Sequence, residues 1–120
     1  IEAIGRNGTG GLDFTVTNND VNPQDSSGFP LAAILVQSNA VTIANTVRSD
    51  VRGNVVPAGA TTDLLPTYVA LVESGTSALQ LIDTPPASAD CTAQLTSSNS
   101  GSASASAGCS LIAGPIGTPP

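Results

Sequence analysis

"LDFTVTNNDV", residues 12–21, alternates apolar and polar side chains and then breaks into amides and an acid before a valine. A second stretch, "DVRGNVV" at 50–56, closes the same way, with Asn, one residue, then Val. The alternation is that of a strand with one buried face: Leu12, Phe14 and Val16 on one side, Asp13, Thr15 and Thr17 on the other. Asn tolerates left-handed backbone and bonds to nearby main chain, so it suits a corner where a strand turns. If coils of chain are stacked, an Asn at the same corner of each can also bond to the Asn of the next. Asn19 and Asn54, 35 residues apart, are therefore read as rungs of a corner ladder, with the loop at 22–28 accounting for the length of the repeat. Asn45, in "IANTV", is read as a decoy or a local turn.

Further period-2 or apolar runs follow: "PLAAILVQ" (30–37), "PTYVALVE" (66–73), "SALQLID" (77–83) and "CTAQL" (91–95). Pro30 and Pro66 stand at strand starts, where a missing N–H is tolerated. "SNAVTIANTVRSDVRGNVV" can be drawn as a helix, but its β-branched residues and Gly53 argue for strand. "ESGTS" (73–77) reads as a hairpin-like or corner turn. The expected fold is all-β: solenoid or β-helix-like coils with a disulfide-pinned C-terminal closure, the alternative being a two-sheet β-sandwich. No helix beyond a single turn is expected. One domain spans 1–114, and "GPIGTPP" leads into a Pro/Gly-rich exit segment at 115–120.

The composition limits the chemistry. Of 120 residues, 40% are hydrophobic but only 2% aromatic (Phe14, Phe29, Tyr68), so the core must be built of Val, Leu, Ile and Ala. The three cations, Arg6, Arg48 and Arg52, in a chain of net charge −6, cannot form the basic face that nucleic acid requires. With no His the commonest general base and metal ligand are missing, and with no Lys so are Schiff bases and the P-loop lysine. The longest apolar run, "FPLAAILV" at 29–36, is too short to cross a membrane as a helix.

Cys91 and Cys109 flank the Ser/Ala/Gly-rich segment 96–108. Two thiols without His suit neither a metal site nor a nucleophile, so a disulfide is expected; closing such a loop contributes about 3 kcal/mol. The segment between them has linker composition, but its Ser/Ala alternation after Gly101 fits a strand of small residues, and pinning at both ends favours order. A disulfide together with low charge suggests an exported protein. A chain that starts at Ile1 is read as a processed product or a piece of something longer.

Taken together, "LDFTVTNNDV…FPLAAILVQS…SDVRGNVV…YVALVESGTSALQLID…SASAGCSLIAGP" resembles the C-terminal coils of large bacterial right-handed parallel β-helix proteins, the pectin-lyase-like, β-strand-repeat surface and secreted proteins. The resemblance spans most of the chain and includes no catalytic signature. About two coils are legible, fewer than the three a solenoid needs to stand alone.

Nine acids are scattered along the chain. β-Helix polysaccharide lyases and hydrolases use clustered acids beside a cation; Asp50, Arg52 and Asp20 are the residues that such an activity would name, and a surface ion pair is the preferred reading of Asp50 and Arg52. Asn18, Asp20, Asn22 and Asp25 are hard-oxygen donors of the kind that bind Ca²⁺, but they lack the Gly and Glu of an EF-hand loop, and a turn is preferred. No catalytic residue and no cofactor are expected. The functional expectation is an extracellular or cell-surface bacterial structural protein, a self-associating fibre or matrix subunit joined through strand edges or solenoid ends. Alternatives are the terminal part of a large surface adhesin, or a carbohydrate-binding or polysaccharide-degrading module. Expected partners are further copies, neighbouring domains of a larger surface protein, or a glycan. With only three aromatics, a stacking platform for sugars is poorly supplied.

Overall fold

The computed structural model describes residues 1–6, 10–21, 32–40, 45–56, 69–75, 77–83 and 88–114. Eight strands and one helix occupy them: β1 (Glu2–Arg6), β2 (Gly11–Thr17), β3 (Ile34–Ala40), β4 (Thr46–Arg52), β5 (Val69–Gly75), β6 (Ala78–Ile82), α1 (Cys91–Ser98), β7 (Ala103–Ala105) and β8 (Ser110–Ile112). The odd-numbered strands form one four-stranded sheet in the order β1-β3-β5-β7, and the even-numbered strands another, β2-β4-β6-β8. Every strand pairing within the two sheets is parallel. The chain thus visits the two sheets alternately and lays each new strand beside the one laid two strands before. Four strands per sheet exceed the two repeats legible in the sequence.

Parallel neighbours in register place like positions about 4.8 Å apart, so side chains stack in columns. Ala3, Val36, Leu71 and Ala105 form one such column in the first sheet. In the second, Leu12 is followed by Val47 and Leu79, and Phe14 by Ser49, Leu81 and Leu111. Ile34, Val36, Val47, Val69, Leu71, Leu79 and Leu81 are all buried to within 1%. Narrow aliphatic columns of this kind need no bulky aromatic centre, which accounts for the composition. Leu35 and Ala70, pointing the other way, join Ala32 in a second buried cluster. With both faces covered, these strands read as the continuous apolar runs "AAILV" and "VALV".

The strand starts expected at Pro30 and Pro66, and the exit segment 115–120, lie outside the described residues. "ESGTS" is a corner and not a hairpin, since β5 ends at Gly75 and β6 begins at Ala78 in the other sheet. The Ser/Ala alternation forms β7, with Ala103 and Ala105 packed against the core.

Two expectations fail together. "CTAQL" is the first part of α1 and not a strand, and eight helical residues replace the single turn anticipated. Asp90 is the N-cap, its side chain accepting from the Ala93 N–H at 2.9 Å. Cys91, Gln94 and Leu95, at helical spacing, are the residues that the helix buries. Gln94 concealed that period because it is polar. It is buried on specific partners: its Nε2 donates to the Ile82 carbonyl at 3.3 Å, and the Ser88 hydroxyl donates to its Oε1 at 2.7 Å. The disulfide exists, joining Cys91 at the start of α1 to Cys109, just ahead of β8.

Candidate functional site

The feature that organises the molecule is the corner where the second sheet ends. Thr17 and Arg52 are register partners, so Asn18 and Gly53 occupy equivalent positions beyond the strand ends. Both are left-handed, with φ of 57° and 67°. A Cβ on Gly53 would meet the Asn18 carboxamide oxygen and force that side chain to shift, and the left-handed backbone itself favours glycine here. Gly53→Ala is expected to cost about 1–2 kcal/mol, measured as a lower urea midpoint with an unchanged slope; an unaltered midpoint would contradict the corner geometry.

The ladder lies one residue further on. Asn19 donates from its backbone N–H (3.1 Å) and its Nδ2 (2.9 Å) to Oδ1 of Asn54. Asn54 repeats the pattern, donating from N–H (3.1 Å) and Nδ2 (2.8 Å) to Oδ1 of Asn99. The second Nδ2 proton returns to the strand before: Asn54 to the Val16 carbonyl at 2.8 Å, Asn99 to the Val51 carbonyl at 3.0 Å. The following residues, Asp20, Val55 and Ser100, are joined by parallel bridges. Val21 and Val56 then turn inward, Val56 to 3% exposure. The three positions of the Asn-x-Val ending therefore act differently: the amide joins neighbouring strand ends, the next residue pairs outside, and the valine re-enters the core.

Asn99 is the rung that sequence reasoning missed. It follows α1, its separation from Asn54 is 45 residues instead of 35, and Ser-Gly stands where Val would be. The C-terminal end of α1 stands in for the strand at this corner: Gly53 donates to the Ser98 carbonyl as Asn18 donates to that of Arg52. Asn45 is neither a decoy nor a simple turn residue. It is 4% exposed, its Nδ2 donates to the Arg6 carbonyl at 3.2 Å, and its own carbonyl accepts from Ala78.

An open groove of about 590 Å³ runs beside this corner, lined by Thr15, Thr17, Asn18, Asp50, Arg52, Gly53 and Ser98. Asp50 and Arg52 meet there at 2.8 Å; the Asp50 side chain is 11% exposed and that of Arg52 50%. A second pair, absent from the sequence reading, joins Asp13 to Arg48 through two bonds at 2.7 and 2.9 Å between register partners. Exposed pairs contribute little, so Asp13→Asn is expected to change stability by less than about 1 kcal/mol; a larger loss in a urea titration would assign this pair a structural role.

Asp20, the third residue of the enzyme hypothesis, does not line the groove; it lies exposed past the corner, with its backbone bridged to Val55. Of the Ca²⁺ candidates, Asn18 turns the corner, and Asn22 and Asp25 lie outside the described residues. Among the described residues no group of three Asp, Glu, Cys or His side chains is placed to hold a metal ion, and no helix is long and apolar enough to cross a membrane. A scan against protein-family models, and searches of curated proteins and of solved structures, return no match.

Proposed function

We propose that this chain is an extracellular bacterial structural protein, a parallel β-solenoid whose coils associate with neighbours through strand edges and solenoid ends. The resemblance to β-strand-repeat surface proteins motivates the reading, and the crossover rule favours a right-handed coil. The observation that carries it is the pair of wholly parallel sheets, each ending at both sides, among the described residues, in a strand with one paired neighbour. Such edges invite another strand unless blocked by charge, proline or a bulge. From Ser100 to Gly114 there is no charged residue and no proline, so the β7 and β8 edge carries neither of those two defences. The buried, disulfide-linked Cys91 supports a site of action in an oxidising compartment. Repeats that stack and share a core suit a rigid spacer. That role serves a fibre or matrix subunit and equally the terminal part of a large surface adhesin.

Electron microscopy with sedimentation velocity on the purified chain tests this. Filaments or end-to-end oligomers are expected; a strictly monomeric species that binds glycans would overturn it. The groove at Asp50 and Arg52 favours a second reading, as a polysaccharide-binding or polysaccharide-cleaving module. In a screen of acidic and neutral polysaccharides, cleavage abolished by Asp50→Asn would establish that reading in place of the first.

A further inference from the structure

The ladder has a direction, and the two ends of the molecule differ because of it. Each earlier rung donates two protons to the Oδ1 of the next. At the last rung the acceptor is supplied from within: the N–H and Nδ2 of Asn99 both donate to the Leu95 carbonyl of α1, at 3.1 and 2.9 Å. The helix, held by Cys91–Cys109, thus closes this end of the ladder. The strands contract toward it as well, from seven residues in β2 and β4 to three in β8. At the first rung Asn19 Oδ1 receives no donor from any described residue. Beside it, among the described residues, β2 has one paired neighbour, β4, and β1 has one, β3. Two of the exposed large hydrophobics, Ile1 (48%) and Leu12 (39%), lie at this end, with Phe14 and Ala3 only partly buried.

We infer that the β1–β2 end is a docking surface for one further parallel strand-and-corner segment carrying asparagine one residue past its left-handed corner. The donors of that asparagine complete the ladder on Asn19 Oδ1, and its strand covers Leu12 and Phe14. The inference rests on the stacking reading above and adds polarity and partner chemistry to it. A second copy presenting its own C-terminal end pairs only its strand edges there and leaves Asn19 Oδ1 without a donor, because both donors of its Asn99 are already engaged with Leu95. The fitting occupant has the form of Thr46–Val56: placed on the free edge of β2 as β2 now lies on β4, it sets glycine over Asn18, asparagine over Asn19 and an arginine beside Asp13.

The test is a titration of the full chain with the synthetic peptide TVRSDVRGNVV, followed by amide NMR shifts and hydrogen exchange. The expected result is shifts and slowed exchange confined to Gly11–Asp20, with affinity reduced about tenfold when the peptide carries Ala in place of its Asn. Changing the peptide leaves the fold of the protein untouched. Equal affinity for the two peptides would overturn the ladder as the basis of docking. Docking at Ser110–Ile112 would overturn the polarity while leaving the stacking reading standing. No docking at either end at millimolar peptide would overturn this inference; the stacking reading then stands or falls on the sedimentation result.

Discussion

Asn54→Ala is expected to be among the most damaging substitutions in the corner, lowering stability by about 4 kcal/mol. Asn54 is 1% exposed and bonded on both sides. Truncation removes the donor to the Val16 carbonyl and one of two donors to Asn99, and it removes the oxygen that receives both protons of Asn19. Each buried polar group left without a partner costs about 1–3 kcal/mol, and partial relaxation keeps the sum below simple addition. For a domain of marginal stability, about 5–15 kcal/mol in total, this is a large share. Asn54→Asp does not rescue it, because the carboxylate faces the Val16 carbonyl and Asn99 Oδ1 with no proton to offer. Asn19→Ala, at the open end, strands fewer groups and is expected to cost about 1 kcal/mol. Urea titrations of the three variants check the order; equal losses at 19 and 54 would mean that the rungs act independently of their position in the stack.

Replacing both Cys91 and Cys109 with serine, or reducing the disulfide, is expected to cost about 3 kcal/mol. The bridge closes a loop of sequence separation 18, and Cys91 is 2% exposed within the main core cluster. An eight-residue helix is not stable alone. Without the bridge, α1 is left with Leu95, the Gln94 bonds, its caps and the bonds that Gly53 and Ala105 donate to Ser98 and Thr92, so amides at Thr92–Asn99 should exchange fastest, ahead of β4 and β6. A melting temperature unaffected by reductant, with α1 protection unchanged, would contradict the role of the helix as a closure.

What the sequence disclosed follows from where one physical rule acts alone. Leu12–Thr17 is half-buried on one face, so its period is plain. Asn19 and Asn54 share a corner grammar because left-handed backbone, a bridging amide and an inward valine each narrow the choice of residue. The third rung escaped for two reasons: α1 lengthens the repeat, and at the closed end no valine has to re-enter the core behind Asn99. The helix escaped because its buried face is Cys91, Gln94 and Leu95, one of them polar and another already assigned to a bridge. The "DCTA" start, with Asp at the N-cap, was the available signal. The Asp13–Arg48 pair depends on inter-strand register, which no local pattern reveals. The groove beside Asp50 depends on α1 ending at Ser98, and no local pattern reveals that either.

The fold is organised by three side-chain amides, 35 and 45 residues apart along the chain, meeting at one corner. NMR of the uniformly labelled protein tests this most directly, through nuclear Overhauser contacts among the carboxamide protons of Asn19, Asn54 and Asn99 and the exchange rates of those protons. The prediction is contacts from Asn54 to both neighbours, with the Asn54 Nδ2 protons exchanging only at the rate of global unfolding and those of Asn19 faster. Three carboxamides that exchange like free surface amides and share no contact would contradict it.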